Sequence, residues 1–325
     1  MIGPSNIGDA VLAGTVISTV HEAFPDARLT LVVGERATAL WAGDPRIHRV
    51  VDADAFSAPL ARLRLALSLW RDHPQVVVDL RHTLYPLLLK PLAAWRYAWS
   101  PPKRIAHLRE RYLWMLHRQV PGLGAAAAPG QGVVWVTAKE AAHVETLCRR
   151  WGVDGARPLI LICPGARSHI KRWTSEGFAT VAERLIAEAG ACVVFSGEPE
   201  EGACVEEILG LMHQRAHSAV GLVTVRQVGA LMQRARLVIT NDSASLHLAG
   251  AFQVPTVAIF GPTDASRYGP TAPWRRTIRR RLFCAPCEQP LCRFHHECMR
   301  FISPDDVYEA ARDLLKEGER LKVKG

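Results

Sequence analysis

The sequence predicts an α/β protein of two doubly wound domains, residues 1–136 and 137–325. Three observations lead there. At 325 residues the chain exceeds one ordinary domain, and two of roughly 150 residues are the natural division. Strand and helix patterns alternate along nearly its whole length, as parallel sheets covered by helices require. Its 49% hydrophobic and 22% charged residues are those of a globular chain able to bury two cores.

The elements follow from pattern. Segment 10–24 places Val11, Leu12, Val16, Ile17, Val20 and Phe24 near one helical face, and Pro25-Asp26 ends it. Strands are predicted at 28–33, 47–51, 75–80 and 104–107, with helices over 58–70 and 84–98. The Gly-, Ala- and Pro-rich stretch 121–132 reads as a linker, followed by a helix over 137–151. In the second domain strands are predicted at 159–163, 192–196, 237–240 and 256–260. Helices fall at 175–188, 200–212, 225–233, 243–251 and 304–315, the last opening on Ser303 as N-cap with Asp306 three residues on.

A net charge of +9 and a pI near 9.4 call for an acidic partner: nucleic acid, anionic lipid headgroups or a phosphorylated substrate. The charge concentrates in 61–118, where nine Arg and two Lys face Asp72, Asp79 and Glu110, a net +8. No recognition helix or aromatic platform motif accompanies it, so nucleic acid is not the expected partner. No signal peptide is read at the start and no charge-free run reaches the ~18 residues needed to span a bilayer, so a cytoplasmic protein is expected. Segment 83–99, rich in Leu with Tyr85, Trp95, Tyr97 and Trp99, reads as a core helix, with a headgroup-layer segment as the alternative.

Cys148, Cys163, Cys192 and Cys204 sit singly in regular elements and read as small buried hydrophobes. Cys284, Cys287, Cys292 and Cys298 cluster beside His295 and His296, and the opening C-x-x-C is a metal-ligand spacing. The later spacings are looser than a zinc ribbon. The reading is reduced thiols or a redox-labile disulfide with no metal, and a structural metal on these four is the alternative.

Chemistry is expected at two turns. Residues 236–263 read as strand, polar turn, helix, strand and a turn ending in Gly261-Pro262. Such a unit brings Asn241-Asp242-Ser243 to the carboxyl end of a parallel strand, where free N–H groups of the next helix suit phosphate. Upstream, 159–163 ends in Pro164-Gly165-Ala166-Arg167, followed by Lys171-Arg172-Trp173. Two phosphate-directed turns in one half suggest a nucleotide diphosphate. Near the start, Asn6-Ile7-Gly8-Asp9 runs into the first helix, where Asp9 reads either as N-cap or as a base facing those turns across a cleft between the domains. A carboxylate with pKa near ~4 is ionised at neutral pH and accepts a proton from an attacking sugar hydroxyl. Asp79, Arg81 and His82 follow a buried strand and are candidates for binding an acidic sugar or phosphate, with an Arg-Asp ion pair as the alternative reading.

These residues, with Ser196-Gly197-Glu198-Pro199-Glu200-Glu201, His247-Leu248-Ala249, Phe260-Gly261-Pro262-Thr263 and the cysteine cluster through Met299, resemble glycosyltransferase family 9. These are the bacterial heptosyltransferases that extend the inner core of lipopolysaccharide. The resemblance covers nearly the whole chain. It implies a GT-B fold, two Rossmann-like domains facing across a cleft with acceptor in the first and an ADP-sugar in the second, and inverting transfer without a required cofactor. By position, Asp9 is then the general base and Lys171 pairs with the donor phosphates. The donor set adds Gly165, Glu201 toward the ribose, Asp242, Ser243, Ala244 and His247. Asn6, Asp79, Arg81 and His82 face the acceptor, an anionic lipid-linked saccharide. The location is then cytoplasmic, peripheral on the inner membrane surface. Alternatives are another nucleotide-sugar transferase or epimerase of the same fold, or a non-catalytic basic binding paralogue.

The chain departs from the family pattern twice. Only Met1-Ile2-Gly3-Pro4 precede the Gly8-Asp9 loop where relatives have a hydrophobic strand; the expectation is a true start upstream of Met1, with a truncated first strand in the first domain as the alternative. Ala244-Ser245-Leu246 stands where many relatives have Gly-Pro-Met; because Ala disfavours positive φ, this turn is expected to be ordinarily helical.

Overall fold

The computed structural model describes residues 1–90, 96–97, 99–120, 122–123, 133–153 and 155–323. The chain divides into two compact units, Met1–Trp135 and Val136–Gly325.

The first unit runs α1 (Ile7–Ala23), β1 (Thr30–Val33), α2 (Glu35–Trp41), β2 (Arg49–Asp52), α3 (Pro59–Arg71), α4 (Tyr85–Leu89) and α5 (Leu108–Gln119). β1 and β2 pair in parallel, Thr30 opposite Arg49 and Val33 opposite Asp52. Ile2 lies between β1 and segment 77–80, bridging Val32 and Asp79 in parallel. Its N–H donates to Val78 O at 2.7 Å, and Leu80 N–H donates to Ile2 O at 3.0 Å. Side chains of 77–80 alternate: Val77 packs with Ile2, Val32, Leu65 and Leu69, whereas Val78 and Leu80 pack with Leu12, Val16, Leu113 and Leu116. That is the two-residue period of a strand buried on both faces.

Segment 75–80, expected as a strand, is thus extended but carries only the bridge at Asp79. Among the described residues its other edge faces no strand. The side chain of Gln119 stands there instead, accepting from Asp79 N–H at 2.7 Å and donating to Asp79 O at 2.8 Å. Residues 104–107, also expected as a strand, form a turn into α5, whose N-cap His107 accepts from Arg109 N–H through Nδ1. Helices α2 and α5 have no counterpart in the sequence reading. The expected helix 84–98 begins as α4, and much of its remainder, like most of the linker 121–132, lies outside the described residues.

The second unit runs α6 (Ala138–Arg150), β3 (Leu159–Cys163), α7 (Ser175–Ala189), β4 (Cys192–Phe195), α8 (Gly202–Leu211), β5 (His217–Ser218), α9 (Val225–Arg234), β6 (Leu237–Asn241) and α10 (Ala244–Ala251). It continues with β7 (Thr256–Phe260), α11 (Ala265–Tyr268), β8 (Arg275–Arg279), α12 (Glu297–Arg300) and α13 (Pro304–Val323). Strands β3, β4, β6 and β7 are buried throughout, as apolar runs covered on both faces must be. Thr137, Thr174 and Thr224 cap α6, α7 and α9 through their side chains. All six strands are parallel in the order β5-β4-β3-β6-β7-β8. Strand order reverses between β3 and β6, and there the carboxyl ends of the strands leave room for a ligand.

Candidate active site

Four strand ends meet around that reversal. β3 runs into Pro164-Gly165, β4 into Ser196-Gly197, β6 into Asp242-Ser243, and β7 into Gly261-Pro262-Thr263. Lys171, in a short 3-10 turn after β3, places Nζ 2.7 Å from Asp242 Oδ2. Thr263 Oγ1 donates to the same oxygen at 2.7 Å. Asp242 is 6% exposed, while the Lys171 side chain keeps 29% of its surface in solvent. Lys171 also stands 5.9 Å from the Tyr268 ring. An anchored ammonium that still reaches water is what a phosphate ligand needs.

Asn241, fully buried, ties the β3 and β6 turns together: its Nδ2 donates to Pro164 O at 2.6 Å and its Oδ1 accepts from Trp173 N–H at 3.2 Å. Trp173 in turn stacks edge-on against Phe178 and donates through Nε1 to Ile302 O.

Ser243 is the N-cap of α10 but makes no capping bond; its hydroxyl lies 3.2 Å from Thr240 Oγ1. The helix therefore presents its first N–H groups and its positive end without a side-chain cap. Ala244 takes its place as the first helical residue and is not among the positive-φ positions, in line with the expectation for a chain lacking glycine there. His247 is buried one turn further on.

Glu201 lies against two glycines. A Cβ on Gly165 would fall 2.0 Å from Glu201 Oε1, and one on Gly197 would fall 2.7 Å from Oε2. The carboxylate accepts from Glu198 N–H at 2.9 Å, and burial raises its pKa above the ordinary 4.5. The glycines thus let a carboxylate lie flat on two strand ends, beside the reversal of strand order.

In the first unit, Asn6 is the N-cap of α1 and Asp9 stands two residues inside the helix, so Asp9 is a first-turn residue rather than the cap. Because Ile2 pairs in parallel with Asp79, the turns Ser5–Asp9 and 79–83 emerge at the same end of that layer. Asp79 departs from its expected role. It is 1% exposed, and its oxygens accept from Arg81 N–H at 2.8 Å, Thr83 N–H at 2.6 Å and Thr83 Oγ1 at 2.9 Å. It shapes the turn instead of facing a ligand, holding His82 at φ 53° and leaving Arg81 and His82 exposed.

Cys284, Cys287, Cys292 and Cys298, with His296, line one cavity of about 280 Å3. All are free thiols, and no group of three or more His, Cys, Asp or Glu among the described residues is arranged to hold a metal ion. Burial, then the neighbouring thiols, push Cys298 up to about 11. The lobe braces the site: Cys287 and Glu288 N–H donate to Pro262 O, and the His169 and His296 rings meet edge-on at 5.5 Å. Cys148, Cys163 and Cys192 are buried as expected and Cys204 partly so; burial pushes Cys163 up to about 12.

The profile of glycosyltransferase family 9 (heptosyltransferase) matches residues 90–297, more than half of the chain. The chain belongs to glycosyltransferase family 9. This family 9 enzyme is 28% identical over 338 residues to lipooligosaccharide heptosyltransferase 2 of Campylobacter jejuni, covering 96% of this chain and 97% of that protein. Its fold matches a solved E. coli ADP-heptose LPS heptosyltransferase II with a TM-score of 0.74 at 22% identity, covering 98% of each chain. A family 9 glycosyltransferase structure from Veillonella parvula matches with a TM-score of 0.78 at 20% identity and 97% of each. The α/β fold is the GT-B architecture of those structures.

Gln119 lay outside every motif read from the sequence, while Asn241 and Thr263 stood in its turns without a role of their own. Thr263 had a usable signal, its place just after β7, the neighbour of β6; Gln119 had none.

Proposed function

We propose that this glycosyltransferase moves a heptose from ADP-heptose to a phosphorylated, lipid-linked saccharide of the lipopolysaccharide inner core at the inner membrane surface, inverting the anomeric centre. One observation carries the reading: Lys171, anchored by Asp242 and Thr263, stands with the uncapped start of α10 at the reversal of a parallel sheet. The names of the relatives, lipooligosaccharide heptosyltransferase 2 and ADP-heptose LPS heptosyltransferase II, support the choice of sugar and acceptor.

In the reaction an acceptor hydroxyl oxygen attacks the anomeric carbon. The new C–O bond forms as the bond to the β-phosphate oxygen breaks, and ADP leaves with that electron pair. Asp9 takes the hydroxyl proton. Lys171 and the N–H groups of Ala244 and Ser245 meet the charge that grows on the diphosphate, and fixed donors of this kind lower a barrier by ~3–4 kcal/mol each. Glu201 accepts from the ribose hydroxyls, and Gly165 leaves room for it. Asp242 orients Lys171. Arg81 and His82 bind acidic groups of the acceptor, with Asp79 shaping their turn and Asn6 beside it.

The test is turnover of Asp9→Ala with ADP-heptose and a deacylated lipopolysaccharide acceptor. The variant melts like wild type and loses turnover by more than ~100-fold, the lower range for a general base. Turnover retained within a few-fold removes Asp9 from that role.

A further inference from the structure

Helix α3 carries two apolar stripes. Leu65, Ala66 and Leu69 are buried on the inner one. Leu60, Leu63, Leu67 and Trp70, spaced three, four and three residues apart on one face, are 73%, 52%, 48% and 54% exposed. A helix on a water-facing surface keeps that face polar. α4 packs against α3 and adds Leu84, Leu87 and Leu88, each more than half exposed. With Val76, this short stretch holds eight of the eighteen exposed large hydrophobics among the described residues.

The flanking charge has one sign. Within α3 stand Arg62, Arg64 and Arg71 with no acidic residue, α4 has no acidic residue, and Arg81 follows close by. Asp72, just past α3, pairs with Arg49 at 3.3 Å. Leucine and tryptophan on one stripe with arginines beside it suit an interface whose interior is hydrocarbon and whose surface is anionic. A second copy seated on this face would bring its arginines against the same arginines, which disfavours self-association. Nucleic acid gives the leucines nothing to bury against.

We propose that the outer face of α3, together with α4, docks this enzyme on a bilayer bearing anionic headgroups. The inference rests on the lipid-linked acceptor of the proposed function and names the surface that brings the enzyme to it. The apolar stripe enters the headgroup layer while Arg64 and Arg71 pair with lipid phosphates, so binding needs both and weakens with salt.

The experiment is sedimentation of the full chain with vesicles of phosphatidylethanolamine and phosphatidylglycerol, against vesicles of phosphatidylcholine alone. Wild type sediments with the anionic vesicles only. Leu63→Gln/Leu67→Gln and Arg64→Gln/Arg71→Gln each weaken that binding at least tenfold, with unchanged melting and unchanged turnover of a deacylated, water-soluble acceptor. Wild type that stays in solution, or variants that sediment as wild type does, overturn the proposal. So does a lipid-free dimer of wild type that the leucine variant abolishes, which assigns the face to a second copy. Turnover of the soluble acceptor reads the transferase reaction separately, so a wild type that turns over that acceptor yet stays off the anionic vesicles refutes the docking surface alone.

Discussion

The Lys171–Asp242 pair links the proposed donor chemistry to the stability of the second unit, and a double-mutant cycle separates the two. The nitrogen and oxygen lie 2.7 Å apart, with side-chain exposures of 29% and 5%. In Lys171→Met the Asp242 carboxylate stays buried, with Thr263 Oγ1 still donating to it. Breaking a fully buried pair costs ~3–5 kcal/mol and an exposed one ~0–1 kcal/mol, so partial access of Lys171 to water sets the loss at about 2 kcal/mol. Adding Asp242→Asn removes the stranded charge, and the double variant recovers to within about 1 kcal/mol of wild type. Turnover moves differently. If Lys171 meets charge that develops as the bond breaks, the loss of ~3–4 kcal/mol of barrier lowers kcat roughly 150- to 900-fold, and the double variant regains none of it.

The assay is urea melting of the four proteins alongside ADP release under saturating donor. The loss should fall in kcat, because an interaction made only in the transition state leaves KM little changed. A coupling energy below ~0.5 kcal/mol refutes the energetic link between the two side chains. A Lys171→Met enzyme within tenfold of wild-type kcat refutes the role at the diphosphate.

Burial raises the Glu201 pKa above its ordinary 4.5, so the native state holds that proton more tightly than the unfolded chain. Stability then falls as pH rises from 4.5 through the native value, and Glu201→Gln flattens that decline while raising KM for the donor. Thermal melts between pH 4 and 7 check the sign, and a wild type that gains stability over the variant across that window overturns it. Iodoacetamide near neutral pH should leave Cys163 and Cys298, pushed up to about 12 and about 11, unlabelled while the partly exposed Cys284, Cys287 and Cys292 react. Peptide mass spectrometry reads the order, and Cys298 labelling as fast as Cys284 counts against it.

The sequence made the second unit legible where burial is two-sided. The runs 159–163 and 256–260 are continuous apolar strands because helices cover both faces, and threonine caps mark where α6, α7 and α9 begin. Strand β8 was invisible for the opposite reason: an arginine-rich edge strand with alternating exposure has no apolar run, although charge on an edge is what keeps it from pairing with other chains. α5 begins on a histidine cap, which is no recognised signal, and its buried Tyr112, Leu113, Met115 and Leu116 follow a stretch that reads as extended.

The site was legible as far as local chemistry reaches. Turns after parallel strands had to carry the polar groups, and Lys171, Asp242 and Ser243 lie there. Partners distant in sequence were not legible, because they depend on which strands become neighbours. Asp79 shows the limit: an acidic residue at a strand end reads as ligand-facing, yet its own turn consumes both oxygens. Asn241 and Asp242 show how the fold divides such work between adjacent residues. At the end of a strand successive side chains point to opposite sides. Asn241 therefore turns inward to fasten the β3 turn, while Asp242 turns toward Lys171 and Thr263. The order β3-β6-β7 makes those partners neighbours. The same strand end thus holds the scaffold with one residue and aims the lysine with the next, so a one-residue slip of β6 would lose both.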